Sequence, residues 1–169
     1  NVELEQIQDP TLINKWEREF QSIYGEDWTV QVDKRSEVPS HIIGGGIPFF
    51  PGSANQLSYD YMVEKETVIN LMTEFFIKHS TLFHVDPTEI RCEQAIQIDN
   101  KWYLSFVRYY KDVPVENSSA LASLFGGNLY EFGFTKWGSI SLSTTPELVA
   151  ESALAMLFSS LGGQDPYLD

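Results

Sequence analysis

The sequence predicts an α+β fold, in which an antiparallel sheet of about four strands is packed by helices. Helical spacing of apolar residues marks three segments, near 10–24, 64–79 and 146–161. Between residues 89 and 142 the period changes to two. The strands there follow one another instead of alternating with helices, which favours an antiparallel meander over a parallel sheet.

The first helix has Asp9 to cap it, Pro10 at its first position and Gly25 as its stop. Leu12, Ile13, Trp16, Phe20, Ile23 and Tyr24 form its apolar stripe. Trp28 to Val32 alternates as a strand, Asp33 to Pro39 is a polar turn, and His41-Ile42-Ile43 begins another short strand. Three glycines followed by Pro48 and Pro51 then predict a linker or arm over residues 44–58. This part, residues 1–58, is expected as an N-terminal helix and hairpin forming an accessory layer. Residues 59–169 form the core.

In the second helix Val68, Leu71, Met72, Phe75 and Phe76 line one face. Glu89 to Ile98 and Trp102 to Tyr110 then make a hairpin about the turn 99–101. Lys111 to Val115 is a second turn and Asn117 to Leu124 a third strand. Leu129 to Phe134 with Ser139 to Leu142 completes the meander. Thr144-Thr145-Pro146-Glu147 fits a capping box. The helix after it shows Leu148, Val149, Ala153, Met156, Leu157 and Leu161 on one face and ends at Gly162-Gly163.

Charge limits the partners. With 24 acidic residues against 11 basic ones the chain carries −13, a field that repels phosphates, so no nucleic-acid partner is expected. No apolar run of about 18 residues occurs, so no membrane span is expected either. Cys92 is alone, which removes intrachain disulfides and cysteine clusters and suits a buried structural thiol.

Chemistry-bearing patterns are sparse. His79 and His84 lie five apart and His41 is remote, without a His-Glu-x-x-His helix. No nucleophile elbow occurs, and the Gly44–Gly52 run lacks the lysine and the following helix of a phosphate loop. No catalytic residue, cofactor or metal is therefore assigned. A pocket enzyme would need convergent polar groups such as His79, His84, Glu93 and Arg108.

Aromatic residues crowd the central strands. Trp102, Leu104, Phe106 and Arg108 share one face, and Tyr103, Ser105, Val107 and Tyr109 the other. Filling the core accounts for many of these rings. Partner surfaces are enriched in the same types.

The stretch Trp102-Tyr103-Leu104-Ser105-Phe106-Val107-Arg108-Tyr109-Tyr110-Lys111-Asp112-Val113-Pro114-Val115 resembles the central signature of the fungalysin/thermolysin propeptide domain. Phe106, Tyr110, Val113, Pro114 and Val115 fit its register. Asp112 replaces a glycine there, and Asp accepts left-handed backbone angles better than most residues. The segment from Leu142 through Ala155 is similar to the start of an adjoining PepSY-type module.

This resemblance implies a cystatin-like sheet and a non-catalytic pro-region of a secreted zinc metallopeptidase. Its partner would be the catalytic domain of the same precursor, which it would help to fold and hold inactive. Trp102, Phe106, Arg108, Tyr110, Pro114 and Val115 are the candidate partner-binding residues. A free-standing exported binding module and a small pocket enzyme are the alternatives.

Overall fold

The computed structural model describes residues 10–57 and 63–160. Asp9, Leu161 and Gly162-Gly163 lie outside the described residues. Helix α1 is Pro10–Tyr24, followed by strands β1, Thr29–Val32, and β2, Pro39–Pro48. Helix α2, Lys65–Lys78, continues into the short α3, Ser80–Phe83, and a 3-10 turn at Pro87–Glu89. Strands β3 (Ile90–Ile98), β4 (Lys101–Tyr110), β5 (Val113–Phe125) and β6 (Asn128–Thr135) precede the last helix, α4, Ala150–Ser160.

The α+β class and the four-strand meander are present, and the sheet is larger than that. It has six strands in the order β1-β2-β6-β5-β4-β3, every neighbouring pair antiparallel. The N-terminal hairpin is therefore no accessory layer. Through β2 against β6 it extends the same sheet, and the boundary expected at residue 58 falls within one sheet and one hydrophobic core.

Register explains which face is covered. Val30, Ile42, Phe132, Ala122, Leu104 and Ala95 are successive cross-strand partners, one from each strand, and all six are buried. Helices α1 and α2 cover this row. Trp16 and Phe20 come from α1 and Val68, Met72, Phe75 and Phe76 from α2, and the aromatic rings among them lie 5.2–6.5 Å from those of Phe83, Phe106, Phe132 and Phe134. Ile23, expected in the α1 stripe, points to solvent. Its position lies beyond the edge of the stripe set by Ile13, Trp16, Phe20 and Tyr24.

The glycine run is strand, not linker, as far as Pro48. Trp28 lies so close over it that a Cβ at Gly44 would stand 2.2 Å from the indole. Gly44 lets β2 pass beneath that ring, Gly46 takes a positive φ against Asn128 and Tyr130, and the register with β6 shifts between Ile43 and Ile47. The rest of the arm is a strap over the β5–β6 turn. Phe49 and Phe50 donate to Gly127 O, Ala54 donates to Gly126 O, and Asn55 Nδ2 reaches Phe50 O and Asn128 Oδ1 at 2.8 and 2.7 Å.

Three further expectations are corrected. The second turn is only Lys111-Asp112, both at positive φ, so Val113–Val115 already belong to β5. A two-residue turn whose twist matches the flanking strands lets pairing resume at once. Ser139–Leu142 forms no strand, because Arg108 on the covered face holds Gly138 O and draws the chain away from the sheet. The capping box does not form; Thr145 N bonds Ser143 Oγ, and α4 opens later, at Ala150. Cys92 is half-buried, and burial raises its thiol pKa.

Candidate protein-binding face

Among the described residues α1 and α2 cover one face of the sheet, and the other face stays open. Thr29, Ile43, Glu131, Ser123, Tyr103 and Ile96 are its central cross-strand row, again one residue from each strand. Ile43, Ile96, Ile98, Tyr103, Leu121 and Phe125 are large apolar side chains exposed there, Leu121 at 56% and Tyr103 at 43%. Such a cluster on one face, rather than apolar residues scattered singly, makes this face the candidate interaction surface.

Two hollows lie in it. Lys101, Tyr103, Ser123, Phe125, Tyr130 and Glu131 line one of about 330 Å³, with the Phe125 and Tyr130 rings 6.1 Å apart and Lys101 Nζ 5.6 Å above Phe125. Beside it Leu121, Gly133, Thr135 and His41 surround a smaller one of about 140 Å³. Glu131 borders both, and its Oε1 lies 2.7 Å from His41 Nε2.

The six candidate residues divide. Trp102, Phe106 and Arg108 are buried on the covered face and are unavailable to a partner. Phe106 packs on Phe76 at 5.3 Å. Arg108 donates to Glu89 Oε2 and to Gly138 O, both at 2.6 Å, and its guanidinium lies 5.1 Å from the Trp137 ring. Tyr110 is half-buried beneath Lys111. Pro114 and Val115 do reach the surface, lining a hollow of about 370 Å³ with Val107 and Ser119.

Strand alternation already separates Tyr103, Val107 and Tyr109 from the buried set. Ile43, Leu121 and Phe125 join them only once β2 is seen to pair with β6 and the turns fix the phase of β5. That is long-range information, which a local pattern does not hold.

The pocket-enzyme grouping is not assembled. His79 and His84 share a groove of about 490 Å³ between α1 and α2–α3, lined also by Lys15, Trp16 and Lys78. Arg108 engages Glu89 instead, and Glu93 sits exposed at the β3 irregularity. His79 is buried, and its Nε2 shares a 2.5 Å hydrogen bond with the Tyr24 hydroxyl. Burial, helped by the neighbouring Lys78 charge, lowers its pKa to about 4, while burial raises that of Tyr24. Both are neutral at pH 7, packed among Phe20, Phe75 and Phe83. Among the described residues no group of three or more His, Cys, Asp or Glu could hold a metal, and no helix is long and apolar enough to cross a membrane.

The architecture is α+β, a single open antiparallel sheet with α1 and α2 against one face. A solved structure that shares it is the Bacillus megaterium YpeB C-terminal domain. The match covers 89% of this chain and 74% of that one, with a TM-score of 0.50 and 11% sequence identity. At that identity the likeness is one of fold alone. It carries no argument for a metallopeptidase precursor. No family model matches the sequence, and no curated protein does.

Proposed function

We propose that this chain is a non-catalytic binding domain whose open sheet face holds another polypeptide. In the finer reading that polypeptide is the catalytic domain of a zinc metallopeptidase, kept inactive until cleavage. The observation that carries the binding role is the exposed row about Tyr103 and Leu121, apolar side chains on a face that no helix of the described residues covers. The finer reading draws its support from the propeptide signature, whose Val113-Pro114-Val115 segment lies at the rim of the same sheet. A free-standing inhibitor would use the same face, and would differ only in having no peptidase encoded in its own reading frame.

The test is to titrate a fungalysin catalytic domain with the purified chain and follow peptide hydrolysis. Inhibition is expected, and Tyr103→Lys with Leu121→Lys should abolish it while the thermal midpoint stays unchanged. Absence of inhibition overturns the peptidase reading. Inhibition that ignores the double variant removes the contact from this face.

A further inference from the structure

Two apolar surfaces of this chain lie without a partner among the described residues. One is the open sheet face. The other is α4, in which Leu154, Met156 and Leu157 are each about half exposed or more and no residue is buried. Val149 and Leu148, just before it, are exposed too. An eleven-residue helix is marginal in water by itself, and an apolar one needs a surface to lie on.

Its own sheet does not supply that surface. Beyond β6 the chain is fastened on the covered side, where Trp137 packs 5.4 Å from Phe134 and Arg108 holds Gly138 O. The helix follows from there with no buried residue, and the apolar residues of the open face stay exposed. We infer that a second copy of this chain completes it, with α4 of each copy lying across the open face of the other in a two-fold exchange.

Charge supports that occupant. From Gly138 to Ser160 the only charged residues are Glu147 and Glu151, both acidic. The open face offers Lys101, while its Arg91 is paired with Asp112 and its Glu131 with His41. In a chain of −13 most surfaces of two copies repel, and this face, where the Arg91–Asp112 and His41–Glu131 pairs leave Lys101, repels an acidic helix less. Size supports it as well. At ~1.5 Å per residue the helix is about 16 Å long, enough to cross three or four strands. One such contact falls short of the roughly 1,200–2,000 Å² that a stable interface buries, and the reciprocal pair approaches it. The exchange is isologous, so it closes at two copies.

The exchange would hide the face assigned above to a partner, so partner and second copy would compete. That consequence rests on the proposed function; the exchange itself does not.

The experiment is sedimentation of the full chain, without any peptidase, from low to high micromolar concentration. A concentration-dependent dimer is expected. Leu154→Glu with Leu157→Glu should give a monomer, since these side chains take no part in the core, and so should Leu121→Glu. Circular dichroism confirms that each variant is folded. Mixing the two variants should give at most a much weaker dimer than the wild type, because only one of the two contacts is then intact. A monomer at every concentration overturns the inference, as does a dimer that ignores both substitutions. A monomeric chain whose α4 amides lose protection from hydrogen exchange on Leu121→Glu also overturns it, by placing the helix on its own sheet. A dimer without peptidase inhibition keeps the exchange and defeats the peptidase reading; inhibition by a monomer does the reverse.

Discussion

Tyr24 and His79, 55 residues apart, meet through a 2.5 Å hydrogen bond between the phenol and Nε2, and so fasten the end of α1 to the junction of α2 and α3. The pair makes stability depend on pH in a definite direction. The folded imidazole has its pKa lowered to about 4 from 6.5, so between those values the unfolded chain binds the extra proton. The contribution is complete above pH 6.5 and declines as the pH falls toward 4. Each unit of the difference is worth ~1.4 kcal/mol. Urea unfolding between pH 7 and pH 5 should show the wild type losing stability while His79→Phe changes much less. Equal slopes would refute the assignment.

Arg108 and Glu89 form an ion pair with both side chains largely withdrawn from water, at 7% and 13% exposure. Removing one partner strands the other, which costs ~3–5 kcal/mol. Arg108→Ala should lower the urea midpoint by that order, and Arg108→Met with Glu89→Gln should recover much of it. If the single and double variants are equally unstable, packing on Trp137 rather than the charge pair is the larger effect.

The Lys111-Asp112 turn holds two non-glycine residues at φ 49° and 65°. Asn and Gly suit such a turn better, since they meet little steric cost in left-handed conformations. Replacing the pair with Asn-Gly should raise stability by ~0.5–1 kcal/mol, read from chemical denaturation. Asp112 also pairs with Arg91, and losing that exposed contact offsets a few tenths at most. No gain would mean the turn is held by more than its backbone preference.

Gly52 approaches the β5–β6 turn so closely that a Cβ there would stand 2.0 Å from Gly126 O, backbone against backbone. Gly52→Ala should therefore displace the strap and cost ~2 kcal/mol or more. Gly138→Ala is the control, because its added methyl meets nothing nearer than 4.0 Å. Comparable melting temperatures for the two variants would show that the strap yields without cost.

Much of this fold is legible along the chain because its signals are local. The period of α2, the alternation of β4 and the left-handed tolerance of Asp112 each depend on a handful of neighbours, and each is found in place. The glycine run misled for a physical reason. Gly44 is small because Trp28 occupies the space above it, a fact about packing that composition cannot carry. Arg108 is similar: alternation puts it on the same face as Phe106, but only the partnership with Glu89 explains how a charge is tolerated there. The binding face needs both kinds of information. Tyr103 is assigned by alternation, whereas Ile43 arrives through a strand pairing that crosses most of the chain.

That pairing has a bearing on how the protein is made. His41 and Glu131 are 90 residues apart, and β2 has nothing to pair with on that side until β6 exists. During synthesis the N-terminal hairpin therefore emerges with an empty edge and with Trp28 and Ile42 lacking Phe132 and the rest of their surroundings. Such non-local closure slows folding and prolongs the interval in which an unpaired edge can recruit another chain. A nascent chain arrested before Asn128 should thus be protease-sensitive throughout, including the half already released, and acquire protection in one step once β6 is complete.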